Sequence, residues 1–194
     1  MKKVMKQVMK QVITLLCLVM MLASMPAIAL ADTLITKPYY DEVKYTLESD
    51  VNLDHFKKLA FSSAEATSVL GKHYIAEYAI DGSLKTAWQE AAKGYGIGEG
   101  LTLTFKKAQE VAMLSLRLGY QPYYETNGKP RELEFTFSDG SSCIVEFENK
   151  NKDQYVIFDR PVFTDSIQLS IVSVYDGTEY EDTCITEITA YRNK

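Results

Sequence analysis

The chain predicts an all-β fold, a two-sheet β-sandwich of jelly-roll type. Three features carry that expectation. Apolar residues alternate with polar ones over several short runs, as in strands with one face on a core and one in water. Turn signals separate the runs, above all Asp139-Gly140, a dipeptide suited to the tight connection of a hairpin. No stretch after residue 60 keeps a helical period. Many short strands spaced by turns bury their apolar faces by packing as two sheets.

In chain order, the first segment is a leader. Lys2, Lys3, Lys6 and Lys10 precede an uncharged, mostly apolar stretch from Val12 to Ala31, and no acidic residue occurs before Asp32. Pro26 breaks the stretch, and Ala29-Leu30-Ala31 puts small residues three positions and one position before Asp32. This is the pattern of a secretory signal peptide over residues 1–31, cut before Asp32. About twenty uncharged residues also suffice to span a bilayer, but Pro26 and the small residues favour cleavage over an uncleaved anchor. Cys17 follows Leu16, which is too bulky for the usual lipoprotein signal. The expected product is secreted, extracellular or attached to a cell surface, with no transmembrane segment after cleavage.

Removing residues 1–31 leaves 163 of the 194, enough for one domain with its own core. It also leaves 17 Lys and Arg against 26 Asp and Glu, a charge of −9. That balance argues against nucleic acid, whose phosphates need a basic footprint.

Residues 32–59 are polar, acidic and weakly patterned, with Tyr39, Tyr40 and Tyr45 as the aromatic anchors. They read as an N-terminal arm or linker, ending in a short helical turn near Leu53–Leu59, and serve either as a spacer or as an N-terminal extension packed on the domain. The sandwich domain is expected at 60–194. Within it, Leu101, Leu103 and Phe105 alternate with threonines, Leu114, Leu116 and Leu118 with Ser115 and Arg117, and Leu133, Phe135 and Phe137 with polar residues. Further strands are expected at Tyr155–Phe158, Ser166–Val174 and Cys184–Tyr191. Cys143 and Cys184 lie in strand-like runs, where a free thiol behaves as a small apolar side chain. Pairing between them stays open, although a domain of this size needs no staple.

The run Ala79-Ile80-Asp81-Gly82-Ser83-Leu84-Lys85-Thr86-Ala87-Trp88 is the most informative part of the chain. Gly82 permits the positive φ of a tight turn. Asp81 and Thr86 offer hard oxygen ligands, and a tight loop can turn backbone carbonyls inward, as calcium requires. Glu187 is suited to supply a further carboxylate. Asp81 can equally cap its own backbone amides in a metal-free Asx turn. The run resembles the D-G-x-x-x-T-x-W signature of discoidin (coagulation factor V/VIII type C) domains, of the galactose-binding-like fold. In such glycan modules a glutamate on the last strand closes the loop, so the resemblance implies a structural Ca2+ held by Asp81, Ser83, Thr86 and Glu187. It also implies that Trp88, the only tryptophan, is a buried lid more than a sugar platform.

The resemblance narrows further along. Thr86-Ala87-Trp88-x-Glu90, Gly94-x-Gly96-Ile97-Gly98-Glu99, Leu118-Gly119-Tyr120, Asn127-x-Lys129-Pro130-Arg131 and the run from Ser173-Val174-Tyr175 to Cys184-Ile185-x-Glu187-Ile188 occur in that order. Together they look like the translocation, or glycan-binding, domain of NAD-glycohydrolase type found in secreted bacterial proteins, over roughly residues 60–192. Two departures stand out. Lys129 and Arg131 flank the proline where the pattern has arginine then lysine, and Asp176 and Glu179 stand where lysines are common.

The resemblance implies carbohydrate binding without catalysis. Tyr120, Tyr123, Tyr124 and Asn127 form the candidate recognition loop, with Lys129 and Arg131 beside it. Tyr175 and Tyr180 are candidates on a second loop. Tyrosine offers a flat apolar face and a hydroxyl at little entropic cost, and amide or charged groups hydrogen-bond sugar hydroxyls. Some of these residues are expected to belong to the core edge. His55 and His73 lie near no nucleophile motif, and Gly94–Gly100 precedes a strand and lacks dinucleotide-loop spacing. The expected partner is a glycan or glycoconjugate. The alternative is a protein partner, with the chain anchoring or delivering an enzyme or toxin.

Overall fold

The computed structural model describes residues 42–121 and 123–194. The expected signal peptide, Cys17 and the first part of the arm lie outside the described residues. Among those described, no helix is long and apolar enough to cross a membrane.

Nine strands form the domain: β1 (Tyr45–Glu48), β2 (Phe56–Leu59), β3 (Ser63–Ala66), β4 (Trp88–Gln89), β5 (Gly100–Leu118), β6 (Lys129–Phe137), β7 (Ser142–Glu146), β8 (Gln154–Tyr175) and β9 (Cys184–Asn193). Helix among the described residues is confined to 3-10 turns at Leu53–His55 and Ala76–Ala79. Among the described residues, the ladders between these strands are all antiparallel.

The segments 101–105 and 114–118, separate by periodicity, are one strand, β5, of 19 residues. The segments 155–158 and 166–174 are likewise one strand, β8, of 22 residues. The two long strands pair along their length with register shifts between Thr104 and Gln109 and between Val111 and Met113. Such irregularities bend and twist a strand pair, and here the bend carries the β5–β8 ribbon from one layer of the sandwich to the other. The second half of β5 and the first half of β8 join β1, β9 and β2 in one layer. Their other halves join β3, β6 and β7 in the second. Hydrogen bonding therefore runs continuously through both layers.

Register lines up the apolar rows. In one layer Ala64, Leu103, Ile167 and Phe137 stand side by side, and next to them Ala66, Leu101, Leu169, Phe135 and Cys143. In the other, Leu47, Val156, Leu114, Ala190 and Leu59 face them. Except for the partly buried Leu47 and Ala66, all are buried and belong to one apolar cluster.

From Tyr45 onward the expected arm is part of this sheet. β1 pairs with β8 and β2 with β9, and the Tyr45 hydroxyl donates to the Ile144 carbonyl at 2.7 Å. Strands of four residues in acidic surroundings show too little period to be read from sequence. Only the short turn near Leu53 matches the expected helical end. Cys143 and Cys184 are buried free thiols. Burial pushes the Cys143 thiol up to about 12 and raises that of Cys184 as well.

Candidate functional site

The bend of the β5–β8 ribbon puts both ends of both long strands at one end of the sandwich. The connections 67–87, 90–99, 119–128 and 176–183 therefore cluster there. They are tied to one another by backbone and hydroxyl groups. Gln89 N–H donates to the Tyr74 carbonyl, Gly128 N–H to that of Asp182, and Thr178 N–H to that of Glu125. The Thr183 hydroxyl donates to the Tyr95 carbonyl at 2.8 Å.

Several residues of the sequence signature are explained by this locking. Glu90 is fully buried and its carboxylate accepts from Thr183 N–H at 3.0 Å and Ala92 N–H at 2.6 Å. Burial still raises its pKa. Gly177 lies against the backbone: a Cβ there would stand 2.4 Å from the Thr126 carbonyl oxygen and 2.5 Å from that of Tyr180. Trp88 is fully buried, its indole N–H donating to the Ser68 carbonyl at 2.9 Å, as the lid reading expects.

The structure divides the eight expected recognition residues. Tyr124, Asn127 and Lys129 are 6%, 5% and 2% exposed and cannot present a face to a ligand. The Tyr124 hydroxyl donates to Asn149 Oδ1 at 2.9 Å. Lys129 Nζ donates to the Tyr124 carbonyl at 3.0 Å and lies 4.9 Å from the Tyr124 ring centre. Burial pushes the Tyr124 phenol up to about 12 and lowers the Lys129 ammonium. Gly119 leaves room for both side chains, since a Cβ there would stand 2.7 Å from the Tyr124 ring. These three residues are the scaffold of the loop. Tyr175 is also held inward, donating to the Phe147 carbonyl at 2.9 Å. Arg131 is exposed but grips Glu146 through Nε and a terminal nitrogen at 3.0 and 2.7 Å.

Tyr120, Tyr123 and Tyr180 remain available. Tyr123 is 53% exposed and Tyr180 51%. Tyr123 packs on Tyr120 with ring centres 5.5 Å apart, and Tyr120 meets Tyr74 edge to face at 6.0 Å. The result is a three-tyrosine ledge at the rim of the loop end. Tyr74 was not legible as a site residue, because its loop has no period and its partner lies 46 positions away. Behind the ledge, buried Gln89 donates through Nε2 to Cys184 Sγ at 2.9 Å while its Oε1 has no protein partner.

The second expected site is also assembled. Gly82, with φ at +77°, turns the loop so that its N–H donates to Glu187 Oε2 at 2.9 Å. The Asp81 carboxylate accepts from Ser83 N–H and from the Thr86 hydroxyl, both at 2.8 Å. Asp81, Ser83, Thr86 and Glu187 thus meet, and the Asx turn is present. Burial pushes Glu187 up to about 7, with Asp81 nearby adding to the shift. All the donors are oxygens, which fits a hard cation in kind. Among the described residues, no three acidic, histidine or cysteine side chains converge as a metal cluster.

This arrangement of loops on a bent-ribbon sandwich has relatives. Residues 52–191 match the model of the NAD glycohydrolase translocation F5/8 type C domain. The chain belongs to that family. Its start at residue 52 takes in β2, which agrees with that part of the expected arm being built into the fold. Among solved structures, the family 32 carbohydrate-binding module (CBM) of Clostridium perfringens NanJ, in complex with galactose, is 22% identical. The match has a TM-score of 0.58 and covers 71% of this chain and 99% of that one. The CBM32-1 and CBM32-2 domains of Clostridium perfringens ZmpB match with a TM-score of 0.64 at 11% identity, over 79% of this chain and 42% of that one. The CBM32 of AlyQ, in complex with 4,5-unsaturated mannuronic acid, matches at 0.52 and 16%, over 69% and 97%. At these identities the likeness shows the β-sandwich fold, and the family match makes it a discoidin-like one of galactose-binding-like type. Curated proteins give no sequence match.

Proposed function

We propose that this protein is a secreted, non-catalytic glycan-binding module that works at a cell surface or on an extracellular polymer. It takes sugar on the ledge of Tyr74, Tyr120 and Tyr123. The observation that carries the reading is Tyr123, half-exposed and packed on Tyr120, which in turn meets Tyr74 edge to face, at the loop end of a fold shared with carbohydrate-binding modules. A pyranose presents an apolar C–H face to such a ring, and the phenol hydroxyls reach its polar edge. Tyr180 and Arg131 belong to the rim and select among glycans. Locking the loops before binding avoids an ordering cost that would otherwise subtract from affinity.

A structural Ca2+ belongs to this reading as an accessory. Asp81 and Glu187 would supply carboxylates, with the Thr86 hydroxyl and the Ser83 carbonyl as neutral donors. Bound there, the ion would supply countercharge to Asp81 and Glu187, and so tie β9 to the loop.

A glycan array probed with a multivalent form of the protein tests the proposal, because shallow single sites bind weakly and gain by avidity. Retention of selected glycans by the native protein and loss with Tyr123→Ala is the expected result. A second reading, delivery of a partner protein, is favoured by Ile97, 61% exposed on the same end. Co-purification dependent on Ile97 and insensitive to sugar would support it.

A further inference from the structure

The opposite end of the sandwich carries a groove of about 510 Å³ between the β2–β9 edge and the bend of the β5–β8 ribbon. We infer that this groove is a second binding site, for an acidic glycan bearing carboxylate or sulfate groups. It is independent of the tyrosine ledge.

Three observations point there. First, Leu59 and Ala190 are opposed, buried core residues, and two positions along the same face the row ends in Lys57 opposite Arg192. Like charges directly opposed across strands are destabilising. Lys107, from the ribbon's bend, adds a third cation to the groove, where Glu110 is the one acid among the lining residues. Second, the ion pairs among the described residues join Arg117 to Asp153, Arg131 to Glu146 and Lys150 to Glu148, and none involves these three cations. A chain with a net charge of −5 thus gathers, in one concavity, positive charge that makes no ion pair among the described residues. Third, Phe163, opposite Glu110 in the ribbon, lines the groove and is 66% exposed.

Charge alone would suit any anion. The volume lies in the range of small-ligand clefts, which suits one or two sugar rings. Phe163 gives one flat apolar face beside charged groups, the pairing an acidic sugar needs. A single exposed aromatic ring in a concavity is a poor membrane anchor, since interfacial docking needs a broad apolar face.

The test is calorimetric titration of the full domain with a heparin-derived hexasaccharide, a galacturonate hexamer and neutral maltohexaose. Phosphatidylserine vesicles and a polyglutamate peptide complete the set. One or both acidic hexamers are expected to bind, maltohexaose not through this groove, and affinity should fall with added salt. Lys57→Ala with Arg192→Ala should weaken binding about tenfold, and Phe163→Ala about threefold to tenfold. Melting temperature should hold or rise in the double variant, since an opposed like-charge pair is removed. Failure of both acidic hexamers overturns the inference, as does binding that these variants leave unchanged. Phe163-dependent binding of vesicles or polyglutamate in place of sugars overturns it in favour of a membrane or a protein partner.

Discussion

Replacing Tyr124 and Tyr123 in turn separates scaffold from ligand platform. Adjacent in sequence, they have opposite surroundings, at 6% and 53% exposure. Tyr124→Ala removes a buried ring, at a cost of about 3–5 kcal/mol for an aromatic truncation. It also deletes the hydroxyl bond to Asn149 and strips the ring from beside the Lys129 ammonium, which is itself only 2% exposed. A domain of this size loses roughly 2–4 °C of melting temperature per kcal/mol, so the expected fall is about 6–20 °C. Tyr124→Phe isolates the hydroxyl and should cost about 0.5–1.5 kcal/mol. Tyr123→Ala should stay within about 0.5 kcal/mol of the native protein, as exposed side chains do. Urea melts with a common slope measure all three, and titration with the best array glycan measures binding. Equal stability of Tyr123→Ala and Tyr124→Ala would refute the division. So would a Tyr124→Ala protein of native stability that had lost its ligand.

The remaining expectations concern locking, pH, metal and thiols. Gly177→Ala forces a Cβ onto two backbone carbonyls and should cost about 1–3 kcal/mol, with glycan affinity falling because the 119–128 and 176–183 loops separate; denaturant melts and titration check both. Glu187, held near 7 in the folded protein, binds more protons there than when unfolded, so its contribution is fully present below its unfolded pKa, declines as pH rises from there and is gone above about 7. Glu187→Gln should therefore flatten the stability–pH profile between about pH 4.5 and 7, while Glu90 and Asp182, whose pKa values burial also raises, still contribute in the same sense. If calcium occupies the Asp81 loop, a hundredfold excess over its dissociation constant adds about 2.7 kcal/mol, and Asp81→Ala abolishes that gain; a melt unchanged by chelation leaves the loop as an Asx turn. Cys143 and Cys184 should resist a thiol reagent until the protein unfolds.

Periodicity located the core because in a sandwich every strand with one wet face announces itself. Leu101, Leu114 and Leu133 each begin a row that the structure buries. The bend that makes two layers from one ribbon was hidden, since Lys106 to Glu110 look like an ordinary polar turn between two strands. The Asp81 loop and Glu187 were legible together only through resemblance, being 106 positions apart. For the recognition loop, residue type was a poor guide to exposure. Tyr124 and Lys129 have the chemistry of a sugar site, yet they satisfy one another inside the loop. Tyr123 and Tyr124 differ in which side of a turn they occupy, and a turn carries no period from which to read it.

The central claim is that glycan is held on the tyrosine ledge at the loop end. Its most direct test is a two-dimensional amide NMR titration of labelled protein with the neutral glycan retained most strongly on the array. Shifts should cluster at residues 70–75, 119–124 and near Tyr180, saturate together, and vanish in Tyr123→Ala. Shifts centred on β2, Phe163 and Arg192, or spread along the sheet faces with the ledge unmoved, would contradict it.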